Sequence, residues 1–363
     1  MSLLFKQDIG ISAIGLAIPQ YGLPLAELAK IHNTTASNYT ENLGCQIMSL
    51  CADDENVVTL AVRAAKRALQ HYSPDQIGMV IVATESGIDM SRPLSAWVMH
   101  ELGLKGNIRS YEIKHACYGG AAAVRQAVEW ILSGNAKGKA ALVIAADIAL
   151  YAPQHSGEPS QGAGAVAMVI NEPMIAAIDS QSYYWTDPQF DFWRPIGNPY
   201  PEVNGRLTLT CYIQAVLECF KQLAPQAELP NYLDEFSSIC MHVPFPKMVQ
   251  RAFKRLGEYC GWDQAKINAE YAQKIQPNMQ WNQQIGNSYT ASLWFSVANA
   301  LTKLQNKQQF IAFSYGSGCG AELLKMQCNQ NQANSTWQQE IEHDLNTRTI
   351  IDADFYRKIR DKK

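Results

Sequence analysis

An apolar strand ending in a polar side chain, then a helix, then another apolar strand: this order occurs twice along the chain, and it limits the possible fold more than any other feature. In the first half, the apolar run at residues 79–84 ends at Glu85, a helix starts just after Cys117, and residues 140–146 form an apolar run ended by Asp147. In the second half, residues 236–241 end at His242, a helix starts just after Asn287, and residues 310–314 lead into the glycine-rich SYGSGCG. The repeat lies in the order of elements and not in the residues. If the two halves pack about a pseudo-twofold axis, Glu85 pairs with His242, Cys117 pairs with Asn287, and all four meet near one point. The alternation of strand and helix in the first half argues for a mostly parallel sheet with helices on its faces.

Residues 110–120 (SYEIKHACYGG) carry the candidate nucleophile. Residues 111–116 read as extended. Residues 118–133 read as a helix, with Val124, Val128, Ile131 and Leu132 at helical spacing and Arg125 and Glu129 on the other face. The Gly-Gly-Ala-Ala-Ala run keeps the first turn thin, so a substrate or a second backbone can approach closely. A lone cysteine is ordinarily an inert core residue. At the start of a helix, however, unpaired N–H groups and the positive end of the dipole favour the thiolate. Glu85 ends an apolar strand, which is where α/β sheets keep their chemistry. An isolated glutamate there serves as readily as a cap or a surface loop, and a lone histidine such as His242 is more often structural.

The 363 residues suffice for two domains or for one fold of two similar halves. A composition of 47% hydrophobic and 17% charged residues suits a globular enzyme with a large buried core. A net charge of -3 gives no electrostatic case for nucleic acid or an anionic membrane as partner. No apolar run approaches the length of a membrane span. The first residues, MSLLFKQDIGISAIG, lack the long apolar region of a signal peptide. The nine cysteines are scattered, with no C-x-x-C and no Cys/His cluster at zinc spacing, so no metal and no cofactor are expected. Free thiols in a reducing cytoplasm are the simplest reading.

Elsewhere the patterns predict a strand over 9–17, a helix over 25–32 and a polar surface segment at 33–46 near a site mouth. An amphipathic helix is expected over 56–72, and strands over 166–170 and 175–179. GEPSQGAGA matches neither the P-loop nor the dinucleotide fingerprint, and reads as a tight turn beside the site. Residues 183–205 are rich in aromatics and prolines and read as an extended lid or edge, with Asp191 and Arg194 as their notable charges. Helices are expected over 207–223, 246–260 with Lys247 in the first turn, and 289–304. Residues 321–326 read as a hairpin strand. The tail is polar, with a helix near 352–360. These elements divide the chain into a first half at 1–172 with Glu85 and Cys117, a second half at 173–330 with His242 and Asn287, and a tail at 331–363.

The matching stretches ATESGID, KHACYGGAAA, DIALY, GEPSQGAGAVAM, DFWRP, MHVPFPK, GNSYTAS and FSYGSG occur in family order over residues 8–327. On them the chain resembles the 3-hydroxy-3-methylglutaryl-CoA synthase family of the thiolase superfamily, including the carrier-protein synthases of polyketide β-branching. The resemblance implies a thiolase fold, with two similar α/β halves related by a pseudo-twofold in five αβαβα layers. It implies condensation of acetyl-CoA with acetoacetyl-CoA, or, in the β-branching members, of an acetyl carrier protein with a β-ketoacyl carrier protein. It implies Cys117 as the acetyl-accepting nucleophile, Glu85 as the general acid/base, and His242 as the group that polarises the acceptor thioester. Asn287 would position the acceptor, and the N–H groups of Ser317 and Cys117 would form the oxyanion hole. Lys247 would reach a CoA phosphate, while Tyr151, Asp147 and Asp191 would line the site. A homodimer is the superfamily's usual assembly. Cys319 leaves a rival open, because degradative thiolases use a second cysteine as base. A silent scaffold is the rival of another class, and the intact Glu85, Cys117 and His242 argue against it. His115, beside the nucleophile, departs from the family; it either tunes the thiol or packs.

Overall fold

A computed structural model of the chain describes residues 9–329 and 336–361. The first eight residues and the expected boundary at 330/331 lie outside them. Nine strands form one sheet: β1 (Gly10–Ala17), β2 (Ile77–Ala83), β3 (Arg109–Ile113), β4 (Ala140–Ile148), β5 (Ala163–Asn171), β6 (Ala176–Thr186), β7 (Ser238–Met241), β8 (Gln309–Gly316) and β9 (Gly320–Cys328). Their order across the sheet is β3-β2-β4-β5-β1-β6-β9-β8-β7.

That order contains the repeat. Moving outward from the central pair β1/β6, one side runs β5, β4, β2, β3 and the other runs β9, β8, β7. The directions match as well: β4/β5 and β8/β9 are antiparallel, and β2/β4 and β7/β8 are parallel. Among the described residues, the second half has no counterpart of β3. Its place in the chain is taken by helices Gln264–Lys274 and Gln280–Ile285. Among the described residues, the two halves of the sheet are joined by two residue pairs, Gly10 with Ala177 and Ile11 with Ala176.

The expectation of a mostly parallel sheet is corrected: among the described residues, three strand pairs are parallel and five antiparallel. The β8–β9 link is too short for a parallel crossover, which needs a dozen residues or more, and β1 runs antiparallel to both of its neighbours, β5 and β6. β6 also continues past the expected end at Asp179 to Thr186, so the aromatics Tyr183 to Trp185 belong to the sheet rather than to a lid.

Each half of the sheet is buried on both faces, which explains its almost unbroken apolar strands. The chief helices covering it are α1 (Val57–Ala68), α2 (Leu94–Glu101), α3 (Gly119–Leu132), α4 (Gly205–Lys221), α5 (Pro246–Tyr259) and α6 (Ser292–Leu301), with Thr336–Thr347 packed beside β1. Val80 and Val82 of β2 face α1 and α2, while Met79 and Ile81 face the inner layer with α3 and α6. In the other half Ile311 and Phe313 of β8 face α4 and α5, and Phe310 and Ala312 face the same inner layer. The result is the αβαβα arrangement of the thiolase fold. All ten residues of α6 are buried, as an apolar-all-round helix must be. A Cβ on Gly120 would stand 2.6 Å from the Thr290 carbonyl, so glycine there lets the starts of α3 and α6 meet.

The tail is part of the fold. Thr349–Ile350 joins Tyr21–Pro24 and Ile47–Leu50 in a small three-stranded sheet, and the helix Ala353–Asp361 buries Tyr356 and Ile359 beside Leu25 and Leu28. No helix among the described residues is long and apolar enough to cross a membrane.

Candidate active site

Cys117 sits in a tight turn between β3 and α3. Ala116 before it takes φ +40°, a left-handed conformation that costs a non-glycine residue about 1–2 kcal/mol. Such strain persists where surrounding structure enforces it, commonly at functional sites. The hairpin Ser317–Cys319 between β8 and β9 does the enforcing. A Cβ on Gly316 would lie 2.4 Å from the Tyr118 nitrogen and 2.7 Å from the His115 carbonyl, and a Cβ on Gly320 would lie 2.7 Å from His115 Cε1. The glycines of SYGSGCG therefore serve close packing against the cysteine turn. Gly316→Ala should cost about 1–3 kcal/mol by overpacking, and thermal unfolding will read this as a lowered midpoint. Acylation of Cys117 should fall with it.

The Cys117 thiol points at Glu85, with Sγ to Oε1 at 3.5 Å. Burial, together with the negative charge of Asp147 beside it, pushes the Glu85 carboxyl up to about 8. The expectation that the helix start favours thiolate is corrected. Burial and the carboxylates of Glu85, Asp147 and Asp191 push the thiol well above its ordinary value. α3 also begins only at Gly119, two residues on, and a helix dipole acts mainly within its first turn. The thiol is therefore protonated at rest and donates to a carboxyl poised to take its proton.

Asp147 does not line the cavity; it lies behind Glu85 and is fully buried. Its Oδ1 accepts from the Glu85 N–H at 2.8 Å, Thr84 Oγ1 at 2.9 Å and Ser86 Oγ at 2.8 Å. Its Oδ2 accepts from the Thr290 N–H at 3.0 Å and from Thr290 Oγ1. It thereby ties the Glu85 loop of one half to the Asn287 loop of the other. The Arg194 guanidinium caps the Glu85 carbonyl from the segment expected to be a lid.

One cavity gathers Cys117, Tyr151, His242, Asn287 and Ser317. Glu85 borders it at the Cys117 thiol. His242 is 1% exposed and its Nδ1 has no hydrogen-bond partner among the described residues, while its carbonyl accepts the Tyr212 hydroxyl at 2.7 Å. Burial drops its imidazole to about 3, so it is neutral near pH 7 and offers an N–H without a charge. Asn287 enters on the backbone, its N–H donating to the Ser160 carbonyl at 2.9 Å. Gly162 and Gly286 make this contact possible: a Cβ on Gly286 would lie 1.9 Å from the Gln161 carbonyl.

The remaining expected residues fall outside the cavity. Asp191 is fully buried; its Oδ1 accepts the Gly318 N–H at 3.1 Å, and so it holds the hairpin that presents Ser317. Lys247 bonds Gln250 at 2.9 Å and lies on a separate surface depression. The cation lining the cavity is Arg251, one turn further along α5, a position the i, i+4 spacing from Lys247 could have indicated. Cys319 is buried against the Tyr315 hydroxyl at 3.2 Å and does not reach the cavity, so it cannot act there as a base. His115 packs edge-on to Tyr118 at 5.3 Å. Tyr289 was missed although GNSYTAS contains it; it lines the cavity with φ +44°.

A thiol, a carboxyl of raised affinity for its proton and a neutral imidazole, set where two thiolase-like halves meet, define an acyl-transferring condensing enzyme. The family model described as hydroxymethylglutaryl-coenzyme A synthase N terminal matches residues 5–174, and the C-terminal model matches 178–268 and 263–362. The hydroxymethylglutaryl-CoA synthase of Enterococcus faecalis is 36% identical over 87% of this chain and 82% of its own length. Two solved structures are similar throughout. MvaS in complex with 3-hydroxy-3-methylglutaryl coenzyme A gives a TM-score of 0.90 at 32% identity, covering 98% of this chain and 92% of that one. The curacin biosynthetic pathway HMG synthase in complex with acetyl donor-ACP gives 0.89 at 30%, covering 97% and 88%. The chain belongs to the hydroxymethylglutaryl-CoA synthase family.

Proposed function

We propose that this enzyme condenses acetyl-CoA with acetoacetyl-CoA and releases hydroxymethylglutaryl-CoA, with Cys117 as nucleophile and Glu85 as acid/base. The 3.5 Å contact between the Cys117 thiol and Glu85 carries the reading. As Cys117 attacks acetyl-CoA, Glu85 takes the thiol proton and returns it to the departing CoA thiolate. Glu85 then removes a proton from the acetyl methyl. The enolate oxygen is held by the backbone N–H groups of Cys117 and Ser317, donors of a kind that supply about 3–4 kcal/mol each. The carbanion adds to the ketone of acetoacetyl-CoA, whose thioester carbonyl accepts the neutral N–H of His242. Glu85 gives its proton to the new alkoxide, and water then frees the product from Cys117. Asn287 and Tyr151 orient the acceptor. No metal or cofactor has a part in these steps.

The same residues serve acyl groups on a carrier protein's pantetheine arm, and the curacin-pathway relative was solved with such a donor. Incubation with labelled acetyl-CoA, followed by acetoacetyl-CoA or an acetoacetyl carrier protein, tests both readings. Label held on the protein and chased into hydroxymethylglutaryl-CoA supports the CoA enzyme. Chase only with the carrier substrate supports the β-branching one, and no acylation from either acetyl-CoA or an acetyl carrier protein overturns both.

The working form is a homodimer in the cytoplasm. At one sheet edge, Asn278 donates to the Ile239 carbonyl and to Ser238, so β7 is covered. β3 is the outermost strand at the other edge and is only partly buried. An uncovered edge is a template for pairing, and antiparallel pairing across a twofold would satisfy it. Sedimentation at micromolar concentration should give twice the chain mass; a monomer would contradict this assembly.

A further inference from the structure

One wall of the cavity, Tyr151 to Ser160, is held from behind by the last helix, Ala353–Asp361. Glu158, only 2% exposed, meets His32 Nε2 at 2.9 Å, the Tyr356 hydroxyl at 2.7 Å and Arg360 Nη2 at 3.8 Å. Arg360 then does something more specific. Its Nη2 donates to the Tyr151 carbonyl at 2.6 Å, and its Nη1 donates to Gln161 Oε1 at 3.3 Å. The same Gln161 Oε1 accepts the Tyr151 N–H at 2.6 Å. Both backbone polar groups of Tyr151 are thus tied to one guanidinium, one directly and one through Gln161.

The side chain so held faces the chemistry. The Tyr151 ring stacks on His155 at 5.4 Å and lines the cavity with Cys117. Tyr289 and Ser160 line the same cavity, and burial pushes the Tyr151 phenol well above its ordinary value. Apolar packing would hold a terminal helix as well as buried ions do, without their desolvation cost. A planar fork that fixes two acceptors is a device for geometry.

We propose that Arg360 is a positioning residue: it fixes the backbone of Tyr151, and so sets the Tyr151 hydroxyl beside the acyl group on Cys117. This rests on the reading of Cys117 as nucleophile. Displacing a reacting group by about 1 Å can cost on the order of a hundredfold in rate. Arg360→Gln is therefore expected to lower kcat about tenfold or more with KM little changed, and Arg360→Lys to restore part of it while keeping a cation beside Glu158. The decisive readout is the pair with Tyr151→Phe. If Arg360 acts through that hydroxyl, Arg360→Gln costs less than about twofold once the hydroxyl is gone. Equal fold-losses in both backgrounds, a full kcat for a folded Arg360→Gln, or unchanged turnover in Tyr151→Phe would each overturn the proposal. Should Arg360→Gln fail to fold, the same cycle is run with Arg360→Lys. Acetylation of wild-type Cys117 is measured first: its absence defeats the functional reading and this proposal together, whereas its presence with additive losses defeats this proposal alone.

Discussion

Replacing Cys117 with alanine will abolish retention of label from acetyl-CoA and lower turnover by about 10⁴-fold or more, roughly 5 kcal/mol of transition-state stabilisation. No other thiol can substitute. Of the eight remaining cysteines, seven are buried, and Cys260 lies at the end of α5 outside the cavity. The fold should tolerate the change, because Cys117 is half-buried at the cavity surface rather than packed in the core. A normal thermal midpoint with no acylation is the expected pair of results. Residual acylation at the wild-type rate would place the nucleophile elsewhere.

Glu85→Gln should have the second-largest effect, and it should act unequally on the two half-reactions. Acylation needs only that the thiol proton find an acceptor, so it slows but persists. Condensation needs a base at the acetyl methyl, and removing a positioned base typically costs about 10²–10⁴-fold. Acetyl-enzyme should therefore accumulate. In the wild type, condensation should rise about tenfold per pH unit below about 8, where the carboxyl ionises, and level off above it. The variant should lose that limb. Stability follows with the opposite sign to an ordinary carboxylate. A carboxyl raised from 4.5 to about 8 by folding holds its proton more tightly when folded, so stability falls as pH rises between those values. Glu85→Gln should accordingly raise the melting midpoint at pH 9 and leave it nearly unchanged at pH 4.

What the sequence reveals follows from periodicity. α1, α3 and α5 carry apolar stripes, β2 is apolar throughout and β4 is apolar as far as Asp147, so the residues at their ends could be placed before any contact was known. The helix Gln264–Lys274 buries only Ile267 and Lys274 and shows no stripe, while Thr336–Thr347 sets Trp337, Ile341 and Leu345 at helical spacing inside an otherwise polar segment that hides them. The helix start is a local feature and misleads about the ionisation of Cys117, whereas Glu85 and Asp147 arrive from the ends of β2 and β4. Asp191 and Lys247 were placed in the site by resemblance, yet one supports a hairpin and the other lies outside the cavity. Arg360 was invisible because its partners, Tyr151 and Gln161, lie about two hundred residues away in the chain.

The most direct measurement is peptide mapping by mass spectrometry of Glu85→Gln after brief exposure to acetyl-CoA. The expected result is a single acetyl group on the peptide containing Cys117, persisting when acetoacetyl-CoA is added, while the wild-type adduct disappears into product. An acetyl group on any other residue, or a variant adduct consumed as fast as the wild type's, would contradict the assignment of these two side chains.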